Sequence, residues 1–220
     1  MFNYDLVDVP MIEARMTGEG RVYETPDGNH YPSVTTVLGN RPEKKKSLAE
    51  WRKRIGEKQA TEISTQAARR GTSVHRLVEE YLIDLKEPDQ NEMPTAISSF
   101  NSIKKSLDVN LEVIRGIEVP LYSDRLKLAG RCDCVGKWSG KNSIIDFKTS
   151  KKLKKESWIE EYFLQCTAYS LMFEERTKIV TEGIVIIISV DDYKDPQVFM
   201  KSRNGYISAL EELVKDQLHN

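Results

Sequence analysis

The sequence predicts an α/β protein in which helices cover a mixed β-sheet. Helix-like and strand-like segments follow one another in the order helix, three-strand meander, helix, strand, helix. The late strand, GIVIIISV at 183–190, is apolar enough to be covered on both faces. A length of 220 residues suits one domain, with an N-terminal hairpin and helical extension over about 1–70 and a core over about 71–220.

The N-terminal part carries turn and capping signals. Residues 21–32 alternate in polarity around a Pro-Asp-Gly-Asn turn and predict a small hairpin. Ser33 is placed to cap a short helix that Gly39 closes. The basic segment RPEKKKSLAEWRKR at 41–54 leads into a helical region that continues to about Ala68.

Apolar residues at helical spacing predict a long helix from Thr72, its N-cap, to Lys86. The core stripe of this helix is Val74, Leu77, Val78, Tyr81 and Leu85. The remaining elements build the sheet and its cover. In chain order they are a loop at 87–95, a helix at about 95–107, strands at about 111–121, 126–137 and 143–149, a helix from about Ser157 to Arg176, the strand at 183–190, a loop at 191–196 and an amphipathic helix at 204–218.

Overall charge does not identify a partner, because 33 Lys and Arg stand against 34 Asp and Glu. Any nucleic-acid surface must therefore be a local patch. The sequence has no apolar run long enough to span a bilayer, and MFNYDLVDVP at its start lacks the features of a secretory signal. We expect a cytoplasmic or otherwise intracellular protein with no membrane partner, in the host cell cytoplasm if a phage encodes it.

Charged residues interrupt the apolar hairpin GRCDCVGKWSGKNSIIDFKTS at 130–150. If Ser139-Gly140 is a two-residue turn, Asp133 faces Asp146, whereas a four-residue loop would place Asp133 opposite Lys148. In either register the three side chains share one face of the sheet. Two carboxylates that lie about 5 Å apart share a proton or hold a cation, and Mg²⁺ or Mn²⁺ suits oxygen ligands.

The three cysteines do not form a metal or disulfide framework. Cys132 and Cys134 flank Asp133, and we expect both to pack on the other face of the sheet as small hydrophobic residues. Residues two apart on a strand are poor disulfide partners, so a reducing compartment fits. With Cys166 they supply no zinc or iron–sulfur site.

Further polar residues could join the acidic hairpin. His75 and Glu79 lie on one side of their helix, and Gln165 and Tyr169 have the same spacing on a later helix. Glu118 lies in the first strand of the meander. The helical residues have structural alternatives: a hydrogen-bonded buried histidine for His75, helix packing for Gln165 and Tyr169, and a surface ion pair for Glu79. For Asp133, Asp146 and Lys148 the alternative is a solvated ion-pair cluster on an exposed face of the sheet.

Four motifs, in order over about 21–176, resemble one family. GRCDCV and IIDFKTS resemble the metal-binding core of the PD-(D/E)XK nuclease superfamily. GTSVHRLVEEYL at 71–82 resembles the His motif of its RecB-like branch, and QCTAY at 165–169 the Q-x-x-x-Y motif of that branch. YPSVTTVLG at 31–39 is similar to the mitochondrial genome maintenance exonucleases and their phage relatives.

The resemblance implies a restriction-endonuclease-like mixed sheet flanked by helices, with an N-terminal arch-like helical extension at about 41–70. It implies that Mg²⁺ or Mn²⁺ is held by a set of ligands, and no iron–sulfur cluster is expected. The implied ligands are His75, Asp133, Asp146 and the Phe147 carbonyl, with Glu79 and Glu118 as supporting residues. Lys148 would help to deprotonate the attacking water or steady the phosphate, and Gln165 and Tyr169 would orient the phosphodiester or the lysine. Asp146 departs from the pattern, since many members carry Glu there.

Basic runs and aromatic side chains predict a nucleic-acid surface that ignores base sequence. The candidate DNA-binding residues are Arg69, Arg70, Ser150, Lys151, Lys152, Tyr31, Ser33 and Trp51. Trp158 is a further stacking candidate, although packing in the core is the more ordinary role for Trp51 and Trp158.

The predicted function is a metal-dependent DNA exonuclease, acting on single-stranded ends or flaps in replication, recombination, repair or degradation of DNA. Its predicted partners are single-stranded DNA and replication or recombination proteins. A structure-specific endonuclease and a catalytically inactive nucleic-acid-binding module are the alternatives.

Overall fold

A computed structural model describes residues 2–89 and 91–218 of the chain. The strands are β1 (Asn3–Tyr4), β2 (Glu13–Thr17), β3 (Gly20–Glu24), β4 (His30–Pro32), β5 (Leu111–Ser123), β6 (Leu128–Trp138), β7 (Lys141–Ser150), β8 (Gly183–Val190) and β9 (Gln197–Ser202). The helices are α1 (Val34–Gly39), α2 (Pro42–Ile55), α3 (Glu57–Asp84), α4 (Pro94–Asn110), α5 (Glu160–Thr177) and α6 (Ile207–Leu218), with 3₁₀ turns at Glu156–Trp158 and Arg203–Gly205.

The main sheet has six strands in the order β1-β5-β6-β7-β8-β9. β5, β6 and β7 form an antiparallel meander, β8 lies parallel to β7, and β1 lies parallel to β5. A second sheet, β2-β3-β4, contains the predicted N-terminal hairpin. The predicted mixed sheet flanked by helices is confirmed.

Helices cover both faces of the main sheet because β7 and β8 alternate between two apolar cores. Ile144 packs in the core that includes α1, α5 and α6, whereas its neighbour Ile145 packs in the core that includes α3 and α4. The predicted burial of β8 on both faces is confirmed, since Ile184 lies in the first core and Val185 in the second.

The β6–β7 turn selects one of the two predicted registers. Trp138 pairs with Lys141, so the loop is the two-residue turn Ser139-Gly140, with φ of 46° and 83°. Positive φ at both positions is typical of a type I′ turn, whose twist matches that of the paired strands. The four-residue alternative is therefore wrong.

Several predicted boundaries differ from the structure. The break in the helical region occurs at Gly56, whose φ of 87° separates α2 from α3, and Thr72 lies inside α3 and caps no helix. Leu85, predicted in the core stripe, is the exposed left-handed residue that ends α3. Gly39 is the last residue of α1, and Asn40 is its C-cap. Ser33 caps the start of this helix as predicted, because its side chain accepts a hydrogen bond from the Thr36 amide.

Strands β1, β2 and β9 were not predicted. All five β2 residues are exposed, and β9 is an edge strand without a buried residue, so neither carries a strong apolar signal. In the described part of the chain, no helix is long and apolar enough to cross a membrane.

Candidate active site

A cavity of about 620 Å³ lies between α3, α5 and the strands β5, β6 and β7. It gathers side chains from four separate predicted motifs. The predicted site residues that line it are Ser33, His75, Glu79, Glu118, Asp133, Lys148, Gln165 and Tyr169. Asp146 and Phe147 lie behind this lining, with 1% and 2% of their surfaces exposed.

A distortion of the β5–β6 ladder turns two acidic residues toward the cavity. Ile117 pairs with Cys134 and Val119 with Cys132, but the ladder omits Glu118 and Asp133 between them. Glu118 has a φ of 48°, a left-handed conformation that is uncommon for a residue with a long side chain. Such strain concentrates at functional sites, where the surrounding structure holds it in place.

The same distortion corrects the prediction for the cysteines. Cys132 packs in the core beside α5, whereas Cys134 packs in the core beside α3 and α4. The two residues therefore face opposite sides of the sheet, because the irregularity at Glu118 and Asp133 interrupts the strict alternation of the strands. Both remain buried apolar residues, and both are free thiols.

Asp133 and His75 are fixed by the backbone of Phe147. The Phe147 amide donates a hydrogen bond to Asp133 Oδ2 (2.9 Å), just beyond the point where the β6–β7 pairing ends at Cys134 and Ile145. The Phe147 carbonyl lies 2.9 Å from His75 Nε2. Because a carbonyl can only accept, Nε2 carries the proton, and in the neutral ring Nδ1 keeps a lone pair that faces Asp133 Oδ2 at 3.5 Å.

His75, Glu118 and Asp133 form a group that fits a metal ion. One ligand atom from each lies within 4.8 Å of the others, in a combination of one ring nitrogen and two carboxylate oxygens. Burial and the neighbouring charge of Asp133 raise the pKa of Glu118 to about 7. A cluster of lone pairs and negative charge of this kind suits a hard divalent cation such as Mg²⁺ or Mn²⁺.

Asp146 lies outside this group and pairs with Lys148 instead. Its Oδ1 accepts a hydrogen bond from Gln165 Nε2 (3.1 Å), and its Oδ2 contacts the Lys148 ammonium. Oδ2 is buried, and its partner in this contact is the Lys148 cation. Burial raises the pKa of Asp146 to about 6, against the opposing effect of Lys148.

The Lys148 ammonium lies between an acid and an aromatic ring. Its Nζ is 5.1 Å from the centroid of the Tyr162 ring, on the side of α5 that lines the cavity. Burial alone would lower the pKa of Lys148, but the charges of Asp146 and Asp133 outweigh it and raise that pKa. Lys148 is therefore a cation at neutral pH and not a free base.

Tyr169 approaches the sheet closely because Gly130 has no side chain. A Cβ at Gly130 would lie 2.6 Å from Tyr169 Cε1 and 2.9 Å from its hydroxyl oxygen. Burial raises the pKa of the Tyr169 hydroxyl, which keeps that group protonated. The glycine of GRCDCV thus makes room for the tyrosine of QCTAY, a coupling that neither motif reveals alone.

Four of the predicted DNA-binding residues make contacts within the protein. Ser33 is the buried cap of α1, and the buried Tyr31 donates a hydrogen bond to Asp124 (2.8 Å). Arg70 donates to Ser99 Oγ and pairs with Asp191.

Ser150 is the fourth, because its hydroxyl donates to the Lys152 carbonyl (2.6 Å). Arg69, Lys151 and Lys152 are exposed, and Trp51 is half-buried on α2. All eight predicted DNA-binding residues keep that role as a hypothesis.

The cavity also contains functional candidates that the sequence reasoning missed. Arg21, Lys44 and Arg131 add cations to its lining, and Arg131 Nη1 lies 3.9 Å from Glu118. Tyr162 precedes Gln165 by three residues, so the shared face of α5 was a signal that could have found it. Arg21 and Lys44 carried no such signal, because only the folding of the N-terminal segment brings them to the site.

Glu118→Gln should stabilise the metal-free protein at pH 8. The folded-state pKa of Glu118, about 7, is above its ordinary value of 4.5. This group therefore contributes stability below about pH 4.5, and that contribution is lost as the pH rises through 7. With the side chain 24% exposed, we expect a gain of about 1–3 kcal/mol in the free energy of unfolding at pH 8, and much less at pH 4.5.

Urea unfolding in EDTA at the two pH values measures this difference. Glu19→Gln, a change at an exposed turn, is the matched control and should shift stability by less than about 0.5 kcal/mol. A loss of stability in Glu118→Gln at both pH values would contradict the expected charge clustering.

One family model and several curated proteins match this chain. A family model described as the PD-(D/E)XK nuclease superfamily matches residues 96–216. The chain is 32% identical over 183 residues to mitochondrial genome maintenance exonuclease 1 of Homo sapiens, covering 76% of this chain and 50% of that protein. The Mus musculus protein of the same name is 29% identical over 132 residues, covering 57% and 39%.

The chain therefore spans about half the length, or less, of the curated relatives that it matches. A solved structure titled crystal structure of SSO0001 has a TM-score of 0.43 and 15% identity, covering 85% of this chain and 74% of that chain. A likeness of this size carries no argument about fold or function.

Proposed function

Because this chain belongs to the PD-(D/E)XK nuclease superfamily, we propose that it is a metal-dependent DNA exonuclease that hydrolyses phosphodiester bonds at single-stranded ends or flaps. One observation carries the proposal. The metal-type group His75, Glu118 and Asp133 lines the same cavity as Lys148, whose ion-pair partner is the buried Asp146. An ion pair with only a structural role would not need an open cavity next to it, whereas a catalytic site needs room for its substrate.

The donor set fits a divalent cation, with His75, Glu118 and Asp133 as ligands. Asp146, whose Oδ2 contacts the Lys148 ammonium, stays proposed as a further ligand. Such a cation would supply a nucleophile at neutral pH and offset charge on the phosphoryl oxygens. The Phe147 carbonyl, which accepts from His75, and Glu79 remain proposed as supporting groups.

Lys148 is proposed to steady the negative charge of the phosphate. Its pKa is raised by Asp146 and Asp133, which favours the role of a fixed cation over that of a proton acceptor. The hydrogen bond from Gln165 to Asp146 orients the carboxylate that holds the ammonium. Tyr169, kept protonated, is proposed as a hydrogen-bond donor to the substrate.

The cavity wall supports a polyanionic substrate. Arg21 and Arg131 are exposed cations at the lining, and Lys44 on α2 is a third cation, which pairs with Glu161. Contacts of this type bind phosphates without reading bases. Helix α2 contains no buried residue. We propose that α2 and the first half of α3 form an arch over the bound DNA strand.

Preference for ends is supported by the relatives, whose printed name is exonuclease. A role in DNA replication, recombination, repair or degradation, and partners from those processes, remain part of the proposal. A structure-specific endonuclease would use the same cavity, so only the substrate distinguishes the two.

Cleavage of linear and circular single-stranded DNA tests the proposal. Linear oligonucleotides labelled at either end should be degraded with Mg²⁺ or Mn²⁺ and remain intact in EDTA, while circles of the same composition persist. The end whose label is released first gives the polarity. Circles cut as fast as linear DNA would replace the exonuclease by an endonuclease, and no cutting of either would favour a binding module.

A further inference from the structure

Trp158 is a large apolar side chain that the fold leaves uncovered. It is 61% exposed, although the adjacent Ile159 is 1% exposed and anchored in the core. The Trp158 amide donates to the Lys155 carbonyl (2.9 Å) in the 3₁₀ turn Glu156–Trp158. The expectation that Trp158 packs in the core is wrong, because its buried neighbour and this turn hold the indole outward.

The segment that carries it, residues 151–158, is fixed in place and is named here the lysine–tryptophan loop. The side chain of Gln197 on β9 accepts from the Lys154 amide (2.7 Å) and donates to the Lys154 carbonyl (3.0 Å). Near its start, Ser150 bonds the Lys152 carbonyl. A surface held by these bonds is ordered without a partner and loses little entropy when it binds one.

The charge of this loop is strongly positive. It contains Lys151, Lys152, Lys154 and Lys155, and its single acid, Glu156, is already paired with Lys201 (2.7 Å). None of these four lysines makes an ion pair with an acidic side chain in the described part of the chain. Lys155 Nζ lies 5.4 Å from the Trp158 ring centroid. Lysines around an exposed aromatic ring complement a phosphate backbone that bears unpaired bases.

The loop joins two elements that line the cavity. It connects β7, which carries Lys148, to the start of α5, which carries Tyr162. Tyr162 lines the cavity and follows Trp158 by four residues, so the two Cα atoms lie at most about 14 Å apart. A strand whose scissile phosphate lies at Lys148 therefore reaches Trp158 within a few nucleotides.

We propose that the lysine–tryptophan loop is a binding site for single-stranded DNA outside the catalytic cavity, in which Trp158 stacks on an unpaired base and the lysines contact the adjoining phosphates. The inference rests on the proposed function, whose substrate it deepens by adding a contact beyond the cleaved bond. Single strands are selected over duplex because a stacking ring needs the face of a base that is free of its neighbours. Base identity is not read, since every base offers such a face.

Anisotropy of a labelled 20-nucleotide poly-dT strand, titrated in EDTA so that nothing is cleaved, tests the site. Trp158→Ala should weaken binding by about 5- to 150-fold, the equivalent of one base–aromatic stack, and Trp158→Phe should retain most of the affinity. Tyr193→Ala removes an aromatic side chain that is also exposed, 51%, from the β8–β9 loop, and should leave the affinity within twofold. With metal present, Trp158→Ala should raise KM and leave kcat within a fewfold.

The possible results separate this inference from the function that it rests on. Wild-type cleavage with unchanged binding by Trp158→Ala would overturn the site and leave the nuclease proposal intact. If Trp158→Ala weakens duplex and single-stranded binding equally, or if polyglutamate competes as well as poly-dT, stacking on bases is overturned. Wild-type protein that neither binds nor cuts DNA would remove both proposals.

Discussion

Replacing Lys148 by Met should reduce cleavage of linear single-stranded DNA by about 10²–10⁴-fold, the usual effect of removing a charged group that acts on the transition state. Met keeps most of the length of the side chain. The loss of activity therefore measures the effect of removing the ammonium charge and not the effect of an empty space in the protein. The change also leaves Asp146 buried without its cationic partner. Removing one member of a buried pair costs about 3–5 kcal/mol, and Asp146 can reduce this by protonating, so we expect about 2–4 kcal/mol at pH 8.

The double variant Asp146→Asn, Lys148→Met separates the two effects. It removes the unpaired charge while Gln165 keeps a hydrogen-bonding neighbour, so stability should recover and activity should not. Single-turnover cleavage and urea unfolding of the wild type and the two variants measure both quantities. Since the pKa of Asp146 is already raised to about 6, the destabilisation by Lys148→Met should shrink at pH 5, where the carboxyl is neutral. Full activity in Lys148→Met would refute the proposed charge role.

Replacing Asp133 by Asn should weaken binding of Mn²⁺ by about 10- to 100-fold or more, because a neutral amide oxygen is a much poorer ligand than a carboxylate. The amide oxygen can still accept the hydrogen bond that the Phe147 amide donates. The local backbone should therefore stay in place, and the loss should report the charge that faces His75 and Glu118. Calorimetric titration of the metal without DNA measures the affinity directly.

Glu161→Gln is the matched control for this change. Glu161 lines the same cavity but pairs with Lys44 and lies 3.8 Å from Arg41, away from the metal-type group. It should leave Mn²⁺ affinity within about threefold, and circular dichroism should show both variants folded. Equal losses in the two variants would mean that the cation responds to the general charge of the cavity, and the assignment of His75, Glu118 and Asp133 would be wrong.

Much of the main-sheet architecture was predictable because its signals are local. The apolar run of β8 indicated burial on both faces, and the alternatives for the β6–β7 turn were limited to two by strand periodicity. The positions of Asp133, Asp146, Lys148 and His75 could be identified as belonging together, and the structure does bring them to one region. What the sequence did not reveal is how they divide into a metal-type group and an ion pair.

That division depends on a single backbone irregularity and on distant packing. The left-handed backbone at Glu118 distorts the β5–β6 pairing, and Glu118 and Asp133 lie close to His75. Asp146 pairs with Lys148 instead. Secondary-structure propensities do not predict a strained backbone conformation, because contacts with the rest of the fold are needed to hold the residue in it. The same holds for the ion pair between Arg70 and Asp191 on the β8–β9 loop, which the basic run at Arg69-Arg70 did not predict.

The sequence by itself determined the α/β class, the order of the major elements and the residue types of the site. These features depend on residues close together in the chain, through side-chain periods of 2 residues in strands and 3.6 in helices and through turn residues. Only the tertiary structure decided which carboxylate joins the histidine, where helix α3 begins, and that Trp158 faces solvent. These outcomes depend on contacts between residues far apart in sequence. Their energies arise only when the strands and helices pack together.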